Sequence, residues 1–377
     1  FIQQNGLPDS DKQLVRFVER NIMQLQSDKM QKLFGSYYQD GSISYDMMVR
    51  GFLSSFMGMQ RIMDWDSIIV RLLFYGRKSE SQKQLDFYVK LRTCKDVTDA
   101  LNQLLIEIFG VTFNDNTEGK VADIVKVMKY NAIVQNLAPV DADNYKQSRV
   151  TDSYALQHIN RILELALSQE KSAKALMELF NELGADIRDA DIIRWYGTGA
   201  NYYFVSEGLC LPIIRTLLEK DIETEPTAVI NRVEELMLKH SENGALSRMM
   251  DYAILVARFY ETALGLGSLT LNTADEYVHR YQTDYYLTDQ YYRQATELYF
   301  KIDPTSELFD SIQKVKLSLD QNYSKLCNRI NLEWTRCLKE TGGMDSVHLL
   351  RQDDFYDEKI KPIQKKEAVI VSDALRY

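Results

Sequence analysis

One spacing constrains this chain more than anything else in it. Apolar residues recur at Leu308, Ile312, Val315, Leu319, Tyr323, Leu326, Ile330, Trp334 and Cys337, and every step is three or four residues. Such a stripe stays on one face of an α-helix over many turns and cannot be accommodated in a strand, whose side chains alternate every second residue. The spacing predicts a helix over 306–340 with Ser306 as N-cap and Gly342-Gly343 as its left-handed terminator.

The neighbouring segment 273–302 also reads as a helix. Thr273 and Glu276 have the spacing of a capping box, in which each side chain satisfies an orphan backbone N–H, and the segment ends before Pro304. The short Ile302-Asp303-Pro304-Thr305 connection predicts that the two helices form an antiparallel pair, with Trp334 largely buried in or beside their contact. Tyrosines at 277, 281, 285, 286, 291, 292 and 299 lie along the first helix; rings with a polar tip at helical spacing belong to packing before they belong to ligand stacking.

The same periodicity runs upstream. Residues 11–109 read as five or six short helices broken at Gly35, Asp40-Gly41 and Gly76. One helix is expected over 119–135, between the turn signals Asn114-Asp115-Asn116 and Ala138-Pro139-Val140-Asp141. Thr151-Asp152-Ser153 can cap a helix running from Tyr154 to about Leu183, with further helices at 206–219, from Pro226 to near His240, and over 245–264. The less regular stretch at 140–150 gives a boundary, so the expected organisation is 1–145, a helical unit; 146–365, a second helical unit with the long antiparallel pair; and 366–377, a strand.

Composition agrees with a helical body. Only 6 of 377 residues are Pro, and apolar residues make up 45% in short periodic runs between charges, enough to build cores and too dispersed for disorder. The net charge of −9 opposes a global surface that neutralises nucleic-acid phosphates. No apolar run approaches the length of a membrane span. Cys94, Cys210, Cys327 and Cys337 contain no C-x-x-C pair, so neither a disulfide framework nor a zinc site follows. His158, His240, His279 and His348 lack mutual metal-ligand spacing, and Asp284, five residues from His279, falls off its helical face. Arg194-Trp195-Tyr196-Gly197-Thr198-Gly199 lacks the preceding strand and the third glycine of a dinucleotide site and reads as a loop between helices. Phe1-Ile2-Gln3-Gln4 has neither an initiator Met nor a signal-peptide pattern, and the natural start is expected upstream.

The last residues change character. Ala368-Val369-Ile370-Val371 is a β-branched run without alternation, the pattern of a strand covered on both faces, and Asp373 follows at its carboxyl end, where α/β sheets bind ligands. Local sequence alone makes Asp373 a helix N-cap, since Ala-Leu-Arg follows it. The stretch Ser372-Asp373-Ala374-Leu375-Arg376-Tyr377 resembles the signature of the PglZ family of BREX phage-defence systems, within the alkaline phosphatase superfamily. Upstream, Asn331-Leu332-Glu333-Trp334, the acidic and aromatic Asp353-Asp354-Phe355-Tyr356, Lys361-Pro362 and the tyrosine-rich helix are similar to the region before that signature in type A members.

The resemblance implies a mainly α, multi-helix bundle with one C-terminal strand that opens an α/β phosphatase-like domain beyond this sequence. It implies that Asp373 is a metal ligand, for zinc or manganese, with the nucleophile and other ligands further along. It also implies partners among other BREX-type defence proteins; the expected setting is cytoplasmic, and the apolar runs and net charge give no membrane and no direct nucleic-acid signal in this region. The helices would position the hydrolytic domain; the alternative is a non-catalytic scaffold that docks other subunits. A phosphodiesterase or phosphomutase relative is a third reading, because the motif does not fix the substrate.

Overall fold

The computed structural model describes residues 5, 7, 11–40, 43–75, 81–111, 117–239, 244–349 and 354–365. The chain is mainly helical, at 74% helix, and no strand occurs among the described residues. The expected strand at 368–372 and Asp373 lie outside them. Tertiary contacts divide the chain into two units, Phe1–Val205 and Ser206–Tyr377.

The first unit contains α1 (Lys12–Leu25), α2 (Asp28–Asp40), α3 (Tyr45–Phe56), α4 (Trp65–Tyr75), α5 (Ser81–Thr93), α6 (Lys95–Phe109), α7 (Thr117–Val134), α8 (Ser153–Leu167), α9 (Glu170–Glu182) and α10 (Asp189–Tyr196). Side chains start several of them: the Asp11 carboxylate accepts from the N–H groups of Gln13 and Leu14, Ser44 accepts from Met47, and Asp152 accepts from Ala155. Each bond satisfies a donor that the first helical turn leaves orphaned. Helix α3 is central, contacting α1, α2, α4, α5 and α6, and its Phe52 meets Phe17 edge to face at 5.1 Å.

Three expectations change here. Gly35 does not break a helix but lies within α2. The helix expected over 154–183 is two helices, because Gln169 is extended at φ −130°, ψ 136° and the chain folds back so that α9 packs on α8. The irregular 140–150 stretch is bonded into the unit rather than left as a linker. Fully buried Asn131 donates to the Ser148 carbonyl (2.8 Å) and accepts from the Val150 N–H (2.8 Å). Asp143 accepts from the hydroxyls of Tyr130 and Tyr196 and from the Tyr145 N–H. Helix α8 then returns to pack on α4, α6 and α7, which moves the division between units to 205/206.

The second unit contains α11 (Glu207–Thr216), α12 (Pro226–Lys239), α13 (Ala245–Gly265), α14 (Ala274–Arg280), α15 (Tyr286–Tyr299) and α16 (Phe309–Thr341). Helix α13 lies between α12 and α15 and buries Met250, Tyr252, Val256 and Phe259. The capping box of Thr273 and Glu276 is present. The 273–302 segment is not one regular helix, since a wide π turn at Tyr281–Tyr285 separates α14 from α15. In an unbroken helix two residues eight apart are offset by about 80°; the wide turn absorbs the offset, and Tyr277 and Tyr285 are both buried.

Helix α16 has 33 residues, about 50 Å at 1.5 Å per residue. It starts after Leu308 rather than at Ser306, and Gly342 terminates it at φ +101°. It runs antiparallel to the α14–α15 segment: Phe309 stacks on Tyr299, Tyr323 on Tyr292 and Trp334 against Tyr277. Leu308, Ile312, Val315 and Leu319 are buried, whereas Trp334, expected largely buried, is half-buried against Leu266, Leu269, Tyr277 and Cys337. The stripe is continuous, but its C-terminal half has less protein to cover it. The nearly buried Lys316 ammonium pairs with Asp320 and sits 5.4 Å from the Tyr292 ring and 5.9 Å from that of Tyr299, so its charge is matched by a carboxylate and two aromatic faces.

Two substitutions test this packing. A Cβ on Gly51 would fall 2.1 Å from the ring of the fully buried Phe34, so Gly51→Ala should destabilise the first unit by about 1–3 kcal/mol through overpacking, read as a lowered urea midpoint. In the second unit the Tyr292 and Tyr323 rings are 3.8 Å apart and within 6° of parallel. A double-mutant cycle with alanine at both positions should give a coupling of about 0.5–1.5 kcal/mol; additive losses would place the rings apart in solution.

Candidate functional site

Asp373, the residue for which the sequence predicts a metal-binding role, lies outside the described residues, as does His240. The other histidines are not brought together. His158 Nδ1 is 2.5 Å from the buried Asp66 carboxylate, which Arg161 also approaches at 3.2 Å. His348 meets Asp275 on α14 through its backbone N–H (2.8 Å) and Nδ1 (3.1 Å). Among the described residues no group of three or more His, Cys, Asp or Glu side chains could hold a metal ion, and no helix is long and apolar enough to cross a membrane.

The Arg194–Gly199 stretch, expected as a loop, supplies the end of α10 through Tyr196 and turns only at Gly197, at φ +81°. Its residues are held by a polar network that works as structure. Asp191 accepts from the Tyr145 hydroxyl (2.8 Å), Arg188 (2.7 Å) and Arg194 (2.8 Å). The Tyr145 hydroxyl, then the two guanidinium groups, hold its carboxyl below the usual range against the effect of burial. Burial and the Asp143 carboxylate push the Tyr130 phenol well above its ordinary value. A neutral phenol donating to a carboxylate is a brace, not a proton shuttle.

The tyrosines of 277–299 are likewise packing elements: besides the stacked pair, Tyr281 and Tyr323 both donate to Asp289 and Tyr292 donates to Asp320.

One concave surface feature lies in the first unit. A groove of about 1260 Å³ is bounded by the loop from Phe56 to Asp64, by the Ser67, Val70, Arg71 and Phe74 face of α4, by Asp86 and Lys90 on α5, and by the turn from α8 into α9. The spacing explains the walls, since 67, 70, 71 and 74 share one helical face, as do 86 and 90. Phe56, Ile62 and Phe74 give it half-buried apolar surface, while Arg61, Arg71, Lys90 and Lys171 stand exposed around it. Sequence reasoning missed this site because its residues come from four separated segments, each of which reads as an ordinary amphipathic helix or turn.

Compared with protein-family models, with curated proteins and with solved structures, the chain matches none.

The cysteines are free, and Cys94, Cys210 and Cys337 are buried. Cys94 is 2% exposed, donates to Asn21 Oδ1 at 3.3 Å, and has its thiol pushed up to about 11 by burial. At pH 8 only about one molecule in a thousand would carry the reactive thiolate there. Alkylation of the native chain by iodoacetamide at pH 8 should therefore reach half-buried Cys327 first and leave Cys94 for the unfolded protein; a mass-resolved time course with Cys94 modified as fast as Cys327 would contradict this packing.

Proposed function

We propose that this chain is the helical region of a PglZ-like protein of a BREX anti-phage defence system, where it positions a metal-dependent phosphatase- or phosphodiesterase-like domain. The observation that carries this reading is the motif Ser372-Asp373-Ala374-Leu375-Arg376-Tyr377 after a β-branched run. Asp373 is then a metal ligand, for zinc or manganese, with the nucleophile and remaining ligands beyond Tyr377. A carboxylate suits that role because it offers hard anionic oxygen, and a metal so held stabilises the attacking and leaving oxygens of an in-line displacement.

The path from α16 toward the motif supports a positioning role. Gly342 ends the helix, a 3₁₀ turn follows at Gly343–Ser346, and His348 is tied to Asp275 at the start of α14. The segment after α16 is thereby fixed to the second unit as far as His348. The setting is cytoplasmic, and the partners are other BREX-type defence proteins.

In a chain continued through the phosphatase-like domain, Asp373→Ala should lower both bound zinc or manganese and phosphoester turnover at least about tenfold, with the helical circular-dichroism spectrum unchanged. Wild-type metal content and turnover in that variant would make Asp373 only a helix cap.

A further inference from the structure

We propose that the groove of the first unit is a docking site for an acidic, amphipathic peptide segment of a partner protein, whose apolar side chains enter the groove while its carboxylates meet the cations around it. The charge balance selects the occupant. The chain as a whole carries −9, yet Arg61, Arg71, Lys90 and Lys171 line this one feature, and among the described residues none of the four has an ion-pair partner. Two carboxylates, Asp64 and Asp86, also line it, so cations outnumber carboxylates there four to two, the reverse of the chain's overall balance.

Size and arrangement decide against other anions. The volume of about 1260 Å³ exceeds the roughly 300–1,000 Å³ of small-molecule pockets. All four cations are exposed, whereas a compact phosphate site needs donors converging on one point. Apolar surface surrounded by charged groups is the anatomy of a protein–peptide interface. A nucleic-acid backbone would leave Phe56, Ile62 and Phe74 unmatched, and a flat lipid surface does not enter a concave groove. Half-buried Met59 in the Phe56–Asp64 loop adds a flexible apolar side chain to the lining.

The test uses the full chain and two fluorescein-labelled helical peptides of about 14 residues, roughly four turns. Both carry leucine on one face; the other face is glutamate in the first and lysine in the second. The glutamate peptide should bind saturably at one per chain and about tenfold tighter than the lysine peptide at low salt, the preference fading as salt screens it. Amide hydrogen exchange should slow in 56–64 and 67–74. Arg71→Glu with Lys171→Glu, both exposed and expected to fold normally by circular dichroism, should reverse the preference. Equal or absent binding of the two peptides, protection in other segments, or protection of the groove by ATP or inorganic phosphate in place of the glutamate peptide would overturn the proposal. None of these readouts involves Asp373, so the result is separable from the phosphoesterase reading.

Discussion

Burial of one apolar stripe per helix is the constraint on which both units rest. Among the described residues there is no β ladder to tie distant segments together through backbone hydrogen bonds, so each helix satisfies its own backbone and relies on side chains for its place. Stability of a short helix in water comes mainly from such packing rather than from intrinsic propensity. In the first unit the result is a core of interlocking rings around Phe17, Phe34 and Phe52, close enough that Gly51 has no room for a methyl group. In the second, α13 is enclosed by α12 and α15.

Where the stripes stop, polar side chains take over. The segment between α7 and α8 has little apolar content, and it is fixed by Asn131, Asp143 and Asp191, all buried. The two carboxylates are surrounded by donors, two hydroxyls and an N–H for Asp143, a hydroxyl and two guanidinium groups for Asp191, while Asn131 donates to two carbonyls and accepts from one N–H. Buried polar groups are costly when left unsatisfied and specific when satisfied. Here they fix an irregular path that hydrophobic burial alone would leave undefined. Lys316 follows the same rule in α16, where Asp320 and two tyrosine faces compensate a nearly buried ammonium.

The legible parts of the sequence were those set by local chemistry. The α16 stripe, the Thr273 and Glu276 capping box, the Asp152 cap, the Pro226 start and the Gly342 stop each depend on residues within a turn or two of one another. The parts that escaped depend on distance. The break between α8 and α9 at Ser168-Gln169 carries no Gly or Pro and is imposed by packing. The 140–150 stretch is joined to α7 by partners 13 to 19 residues apart and to α10 by partners more than forty apart, such as Tyr145 with Asp191 at a separation of 46. The groove needs four segments at once. The residue singled out for metal chemistry, Asp373, lies outside the described residues, and none of the residues that line the groove belongs to that motif.

The π turn at Tyr281–Tyr285 turns a length into a phase. By holding one residue more than a regular turn, it sets the rotational frame in which everything from Tyr286 to Tyr299 meets α13 and α16. A single-residue deletion inside it would shorten the segment by little, yet would rotate the whole of α15 relative to α14, carrying Tyr292 away from Tyr323 and Thr288 and Ala295 out of the interior. Length polymorphism at this point is therefore a change of face rather than of reach, and the two halves of the tyrosine-rich segment can vary in sequence only as a register-locked pair.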